Sequence, residues 1–187
     1  TSRSMDVERL GEHMMYERKA SQYNQERIDE AVANLEGRKR RGAEILYWED
    51  VEVGQEITPW SRKTDFMNWN RYAAVNDEFV YIHMDDEAGR AALNEAGAFG
   101  MGNLRFAYLH NMLREWAGDE AEVKSLGCQY RSINQKDDVL TCTDTITAKR
   151  MDGAAYLVDL AVDVVNHRGL STAPGEATVA LPGRQDD

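Results

Sequence analysis

The sequence predicts an α+β domain in which an antiparallel β-sheet wraps around a central α-helix, and three observations carry that prediction. The stretch from Ala98 to Ala117 places Met101, Leu104, Tyr108, Met112 and Trp116 at helical spacing, and Phe106, Ala107, Leu109 and Leu113 widen the stripe until most of the circumference is apolar. Beyond Gly118 the chain alternates polar and apolar residues at the period of a strand. Asp152-Gly153 stands between the two longest alternating runs as a hairpin turn. A helix that is apolar nearly all round has to be covered, and strands with one apolar face are the cover.

Taken in order, residues 1–44 form an N-terminal helical extension: Ser21 caps a helix through Ile28, Ala31, Val32 and Leu35, and Arg38-Lys39-Arg40-Arg41 suits its C-terminus. The thin apolar face of that helix packs on a surface and has no core of its own. The main domain runs from 45 to 182. Tyr47 to Ile57 reads as a turn into a short strand. Thr64 or Asp65 caps a helix through Phe66, Trp69, Tyr72 and Ala73, and Asp85 or Asp86 caps a second from Glu87 to Leu93. Gly97 leads into the central helix. Four strands follow, centred on Leu126–Tyr130, Leu140–Ala148, Tyr156–Val164 and Ala177–Leu181. Residues 183–187 read as a disordered tail.

Composition narrows the function. The 187 residues suit one domain with an extension, and a net charge of −11 argues against nucleic acid and an anionic membrane surface as partners. Arg105, His110, Arg114 and Glu115 interrupt the central helix, so it is no membrane span. With no targeting segment read, the expectation is a cytoplasmic protein with Cys128 and Cys142 as free buried thiols. His13, His83, His110 and His167 are scattered without ligand spacing, so no metal is expected.

The chemistry is read from Tyr72-Ala-Ala-Val-Asn-Asp-Glu-Phe-Val-Tyr-Ile-His83 and the acidic helix start Met84-Asp-Asp-Glu87 after it. From Tyr47 to Pro182 the chain resembles the MaoC-like hydratases and dehydratases of acyl thioesters, whose motif is Gly-Asp-x-Asn-Pro-(Ile/Leu)-His. The family's Arg-x-Pro-Val and Gly-Asp-x-Leu elements are echoed in Arg131-Ser-Ile-Asn-Gln-Lys-Asp-Asp-Val-Leu140. The resemblance implies the hot-dog fold and an acyl-CoA hydratase or dehydratase activity at the double bond of a 2-enoyl-CoA or 3-hydroxyacyl-CoA. It implies coenzyme A as carrier, with no resident cofactor, and a homodimer or larger assembly.

In that alignment His83 is the retained histidine. Without a gap the family's glycine falls on Asp77, its aspartate on Glu78, its asparagine on Val80 and its proline on Tyr81; a one-residue insertion would put Asp77 on the aspartate instead. The expected set is therefore Glu78 or Asp77 with His83 as acid–base groups and the Gly100 backbone N–H on the thioester oxygen. Arg131, Lys136, Lys149 and Arg150 are the expected clamp for the phosphates of coenzyme A. Two other readings stand beside this one. A catalytically degenerate partner subunit of a heteromeric hydratase is kept open by Val80 and Tyr81, and a thioesterase by any carboxylate that activates water beside the central helix.

Overall fold

The computed structural model describes residues 41–184. Among these, a 3-10 turn at Trp48–Asp50 precedes strand β1 (Trp60–Lys63), helix α1 (Phe66–Asn76), a second 3-10 turn at Tyr81–His83 and helix α2 (Asp86–Ala91). The central helix α3 (Gly102–Ala117) is followed by β2 (Glu122–Cys128), β3 (Val139–Asp152), β4 (Ala155–Asn166) and β5 (Gly175–Leu181). The five strands lie in the order β1-β3-β4-β5-β2, each antiparallel to its neighbour.

The strands take their faces from their period. On β3, Leu140, Cys142, Asp144 and Ile146 point inward; on β4, Val158, Leu160, Val162 and Val164; on β5, Ala177, Val179 and Leu181. α3 lies against β2 through β5 and sinks Leu109, Met112 and Leu113 into that surface with almost no exposure. Each such side chain contributes about 1.5–3 kcal/mol by leaving water. The expected central helix and sheet are both present, but the helix is covered on one face only, since Asn103, Phe106, His110 and Asn111 are exposed. The β3–β4 hairpin turns at the expected Asp152-Gly153 with Asp152 opposite Ala155.

The helix starts follow their capping residues. The Asp65 carboxylate accepts the Asn68 N–H at 2.8 Å, and Asp85 accepts that of Ala88 at 2.7 Å. The expected strand at Tyr47–Ile57 does not form; the first strand is β1. Gly54 N–H donates to Ile146, and Ile146 N–H donates to Gln55, beside the bulge that β3 makes against β4 between Ile146 and Ala148.

The domain also reaches beyond its expected ends. Arg41 donates to the carbonyls of Glu115 and Trp116, and Arg184 is held by Glu49 and Asp50. The helix expected at Ser21–Leu35 lies outside the described residues, as do the last three residues of the expected tail. No helix among the described residues is long and apolar enough to cross a membrane.

Candidate active site at the entry to the central helix

The acid end of the site is set by how α1 stops. Its C-cap is Asp77, in the left-handed region at φ 54° and ψ 37°, and the N–H groups of Asp77 and Glu78 turn back to the Ala73 carbonyl. This conformation favours glycine and is tolerated by aspartate. The glycine of the related motif falls on Asp77 in the ungapped alignment, and a left-handed Asp77 agrees with that register; Glu78 is half-buried and Asp77 exposed.

His83 closes the second 3-10 turn. Its Nδ1 lies 2.7 Å from the Phe99 carbonyl oxygen. A carbonyl only accepts, so Nδ1 carries a hydrogen, and in the neutral ring the lone pair is then on Nε2. The imidazole also meets the Phe99 ring edge-on, with centroids 5.2 Å apart. Phe99 is itself fixed from two sides: its N–H donates to Ile82, and it bridges Gln135. Gln135 exchanges two amide hydrogen bonds with Asn94, at 3.0 and 2.9 Å. The histidine loop, the entry to α3 and the start of β3 are thereby tied at one point.

The Gly100 expectation needs correction. Its N–H donates to the Asn134 carbonyl at 2.8 Å, so it has no free hydrogen for a thioester oxygen. The glycine is there for close approach, because a Cβ would overlap the Asn134 side chain. The donors available at this place are the amides opening α3, from Met101 to Leu104, which have no acceptor within the helix.

Asn103, in that first turn, binds Glu78. Its Nδ2 lies 3.2 Å from Oε1 and 3.5 Å from Oε2, while its Oδ1 accepts the Tyr130 hydroxyl at 3.1 Å. The Tyr130 ring packs where a Cβ on Gly102 would stand and lies under the Arg105 guanidinium, 5.0 Å from its centroid. Arg105 is buried and donates to the carbonyls of Ser132 and Thr172, which burial of an unpaired cation demands. Burial, and then the charge of Glu78, pushes the Tyr72 phenol above its ordinary value. Asn103 and Tyr130 escape sequence reasoning because one exposed asparagine and one tyrosine carry no periodic signal.

The four-residue phosphate clamp is not assembled. Lys136 is paired with Asp86 at 2.7 Å and lies over the Phe66 ring. Lys149 donates to the Val51 carbonyl over the Trp48 ring. Arg150 pairs with Asp159 at 2.8 Å. Along an extended strand Arg150 stands about 36 Å from the start of β3, so these cations cannot close on one group of phosphates. Of the four, only Arg131, three residues past the end of β2, is both exposed and without a carboxylate partner among the described residues. No group of three metal-ligating residues occurs among the described residues.

A curled antiparallel sheet around one long helix is the hot-dog fold. It is the fold of R-hydratase PhaJ1 from Pseudomonas aeruginosa, at 19% identity over 75% of this chain and 88% of that one, with a TM-score of 0.66. A MaoC-like dehydratase from Rhodospirillum rubrum matches at 19% identity over 75% of this chain and 99% of its own, TM-score 0.64. A chain of the ChsH1-ChsH2 complex from Mycobacterium tuberculosis matches at 20% identity over 70% of this chain and 98% of its own, TM-score 0.63. No family model matches the sequence, and no curated protein matches it.

Proposed function

We propose that the chain is a hydro-lyase that adds water to, or removes it from, the double bond of a 2-enoyl or 3-hydroxyacyl thioester, with coenzyme A as the carrier. The observation that supports this reading is that Glu78 and His83 both bind the entry of α3, one through Asn103 and the other through Phe99. Two acceptors, the Glu78 carboxylate and His83 Nε2, hold the two hydrogens of one water, leaving an oxygen lone pair for C3 of the substrate. As the C–O bond forms, the π electrons move onto the thioester oxygen, where the N–H groups opening α3 and the helix dipole stabilise the enolate. The proton given up by water returns from its acceptor to C2, so the pair ends in its starting state. The fold that this chain shares with an R-hydratase agrees with that chemistry. Arg131 is the remaining candidate to meet a phosphate of coenzyme A.

The test follows the absorbance of the enoyl-thioester band with a panel of 2-enoyl-CoAs, with free thiol measured in parallel. Loss of the band without thiol release is expected. Thiol release at the same rate would turn the reading to a thioesterase.

The partner-subunit reading keeps one observation in its favour. Phe79, Val80 and Tyr81, directly between the two acid–base residues, are 62%, 41% and 81% exposed. Three adjacent exposed apolar side chains suit a surface that another subunit covers. No turnover alone, and turnover on adding a partner, would favour that reading.

A further inference from the structure

Between α1 and α3 runs a groove of about 650 Å³ that the water-handling residues do not occupy. Its floor is apolar, made by Leu104 and Tyr108 of α3 with Trp60 of β1. Leu104 and Asn76 line the groove, and Glu78 stands two residues beyond Asn76 and is hydrogen-bonded to Asn103, the neighbour of Leu104, so the groove passes close to the carboxylate. Its ionisable side chains other than tyrosines are Arg62, Arg71 and His110, with no carboxylate on the lining. For a chain of net charge −11, that is an inverted local balance. The Arg62 guanidinium lies over the Trp60 ring, 4.8 Å from its centroid, a contact that needs none of its N–H groups as hydrogen-bond donors. Among the described residues, neither Arg62 nor Arg71 pairs with a carboxylate.

We infer that this groove holds an acyl chain that ends in a carboxylate, so that the substrate is the mono-thioester of a dicarboxylic acid with its free end on Arg62 and Arg71. The inference rests on the hydro-lyase reading and names its substrate class. The apolar floor takes the methylenes, and two guanidiniums meet the carboxylate in the paired geometry that arginine favours. From Leu104 to Asn111 the helix rises about 10 Å, the length of a medium acyl chain. The phosphates of coenzyme A stand at the far end of its pantetheine arm, whereas these arginines flank a groove that starts at the acid.

Trans-2-hexenedioyl-CoA and trans-2-hexenoyl-CoA, equal in length, are compared for hydration by the full chain. The saturated adipoyl-CoA and hexanoyl-CoA are compared for binding by calorimetry, which needs no chemistry. The diacid is expected to win by about ten- to a hundredfold in kcat/KM and in affinity, the scale of a charge-assisted hydrogen-bonded pair. That ratio is expected to collapse in the R62A/R71A double variant and to persist in R62K/R71K. Equal handling of diacid and monoacid by the wild type overturns the inference. So does an equal loss for both in the alanine variant, which would put the arginines on the phosphates of the carrier. If neither enoyl-CoA is hydrated but adipoyl-CoA still binds in preference through Arg62 and Arg71, the hydro-lyase reading fails and the groove keeps its carboxylate specificity.

Discussion

Asn103 donates its side-chain amide to Glu78, at 3.2 Å from one carboxylate oxygen and 3.5 Å from the other. The direction of that donation is fixed from behind, because the Tyr130 hydroxyl donates to the Asn103 carbonyl oxygen and leaves only Nδ2 facing the acid. A glutamate side chain is one methylene longer than an aspartate's, and the Asn103 hydrogen bonds remove the freedom that the methylene brings to Glu78.

Asn103→Ala is therefore expected to lower kcat about tenfold, the scale of one hydrogen bond to a charged group, with KM little changed. Tyr130→Phe should give a smaller loss in the same direction, since the amide could then rotate. Steady-state kinetics on a 2-enoyl-CoA decide it. A raised KM at constant kcat would show Asn103 binding substrate and not positioning the acid.

Glu78→Gln and His83→Ala should each lower turnover by about 10²–10⁴ while circular dichroism stays that of the wild type. Asp77→Asn should stay within a few-fold of wild type, because Asp77 is the left-handed end of α1. An inactive Asp77→Asn beside a fully active Glu78→Gln would move the base to Asp77.

Asp144 sets a pH dependence of stability. It points into the core from β3, accepts the Ile57 N–H at 3.3 Å, and has its other oxygen unpartnered; burial raises its carboxyl from 3.8 to about 6. A carboxyl raised in the folded state favours folding only while it is protonated. Its contribution is full below about pH 4 and lost as pH rises through 6. Asp144→Asn should then stabilise the protein at pH 7 by up to about 3 kcal/mol, an advantage that fades toward pH 4. Thermal melts of both proteins from pH 4 to 8 check this, and a gap that does not change with pH would contradict it.

The two sheet edges differ. β1 offers four residues, while β2 offers seven, paired to β5 on one side and to no strand on the other among the described residues. A long open edge asks for cover. Sedimentation at micromolar concentration should show at least a dimer, about twice the 21.2 kDa of the chain. A monomer would leave β2 to a different partner.

Much of this architecture could be read from residue order alone. The stripe at Leu104, Tyr108 and Met112 and the alternation on β3 to β5 are single-period signals that packing respects. Asp65 and Asp85 announce their helices by capping chemistry. Glu78 and His83 stand out by likeness to a motif, and the structure ties both to the entry of α3; the reading fails where the site depends on distance. Lys149 and Arg150 are near Lys136 in number but far along a strand. Gly100 is a plausible donor until Asn134 is seen to take its hydrogen. Arg105 sits on a buried face that no pattern assigns to a cation, because its partners are carbonyls contributed by other segments.

The junction at Phe99 has a kinetic consequence. Ile82, Phe99 and Gln135 come from three separate parts of the chain, yet none can swing away without breaking bonds to the next, and Asn94 is locked to the same point. Amide hydrogens of these segments should exchange with solvent as one cooperative unit, opening and closing together and not as independent loops. The imidazole of His83 then has the lifetime of that unit. Slack introduced at Gln135, before β3 begins, would reach the proton-carrying ring as directly as a change in its own loop.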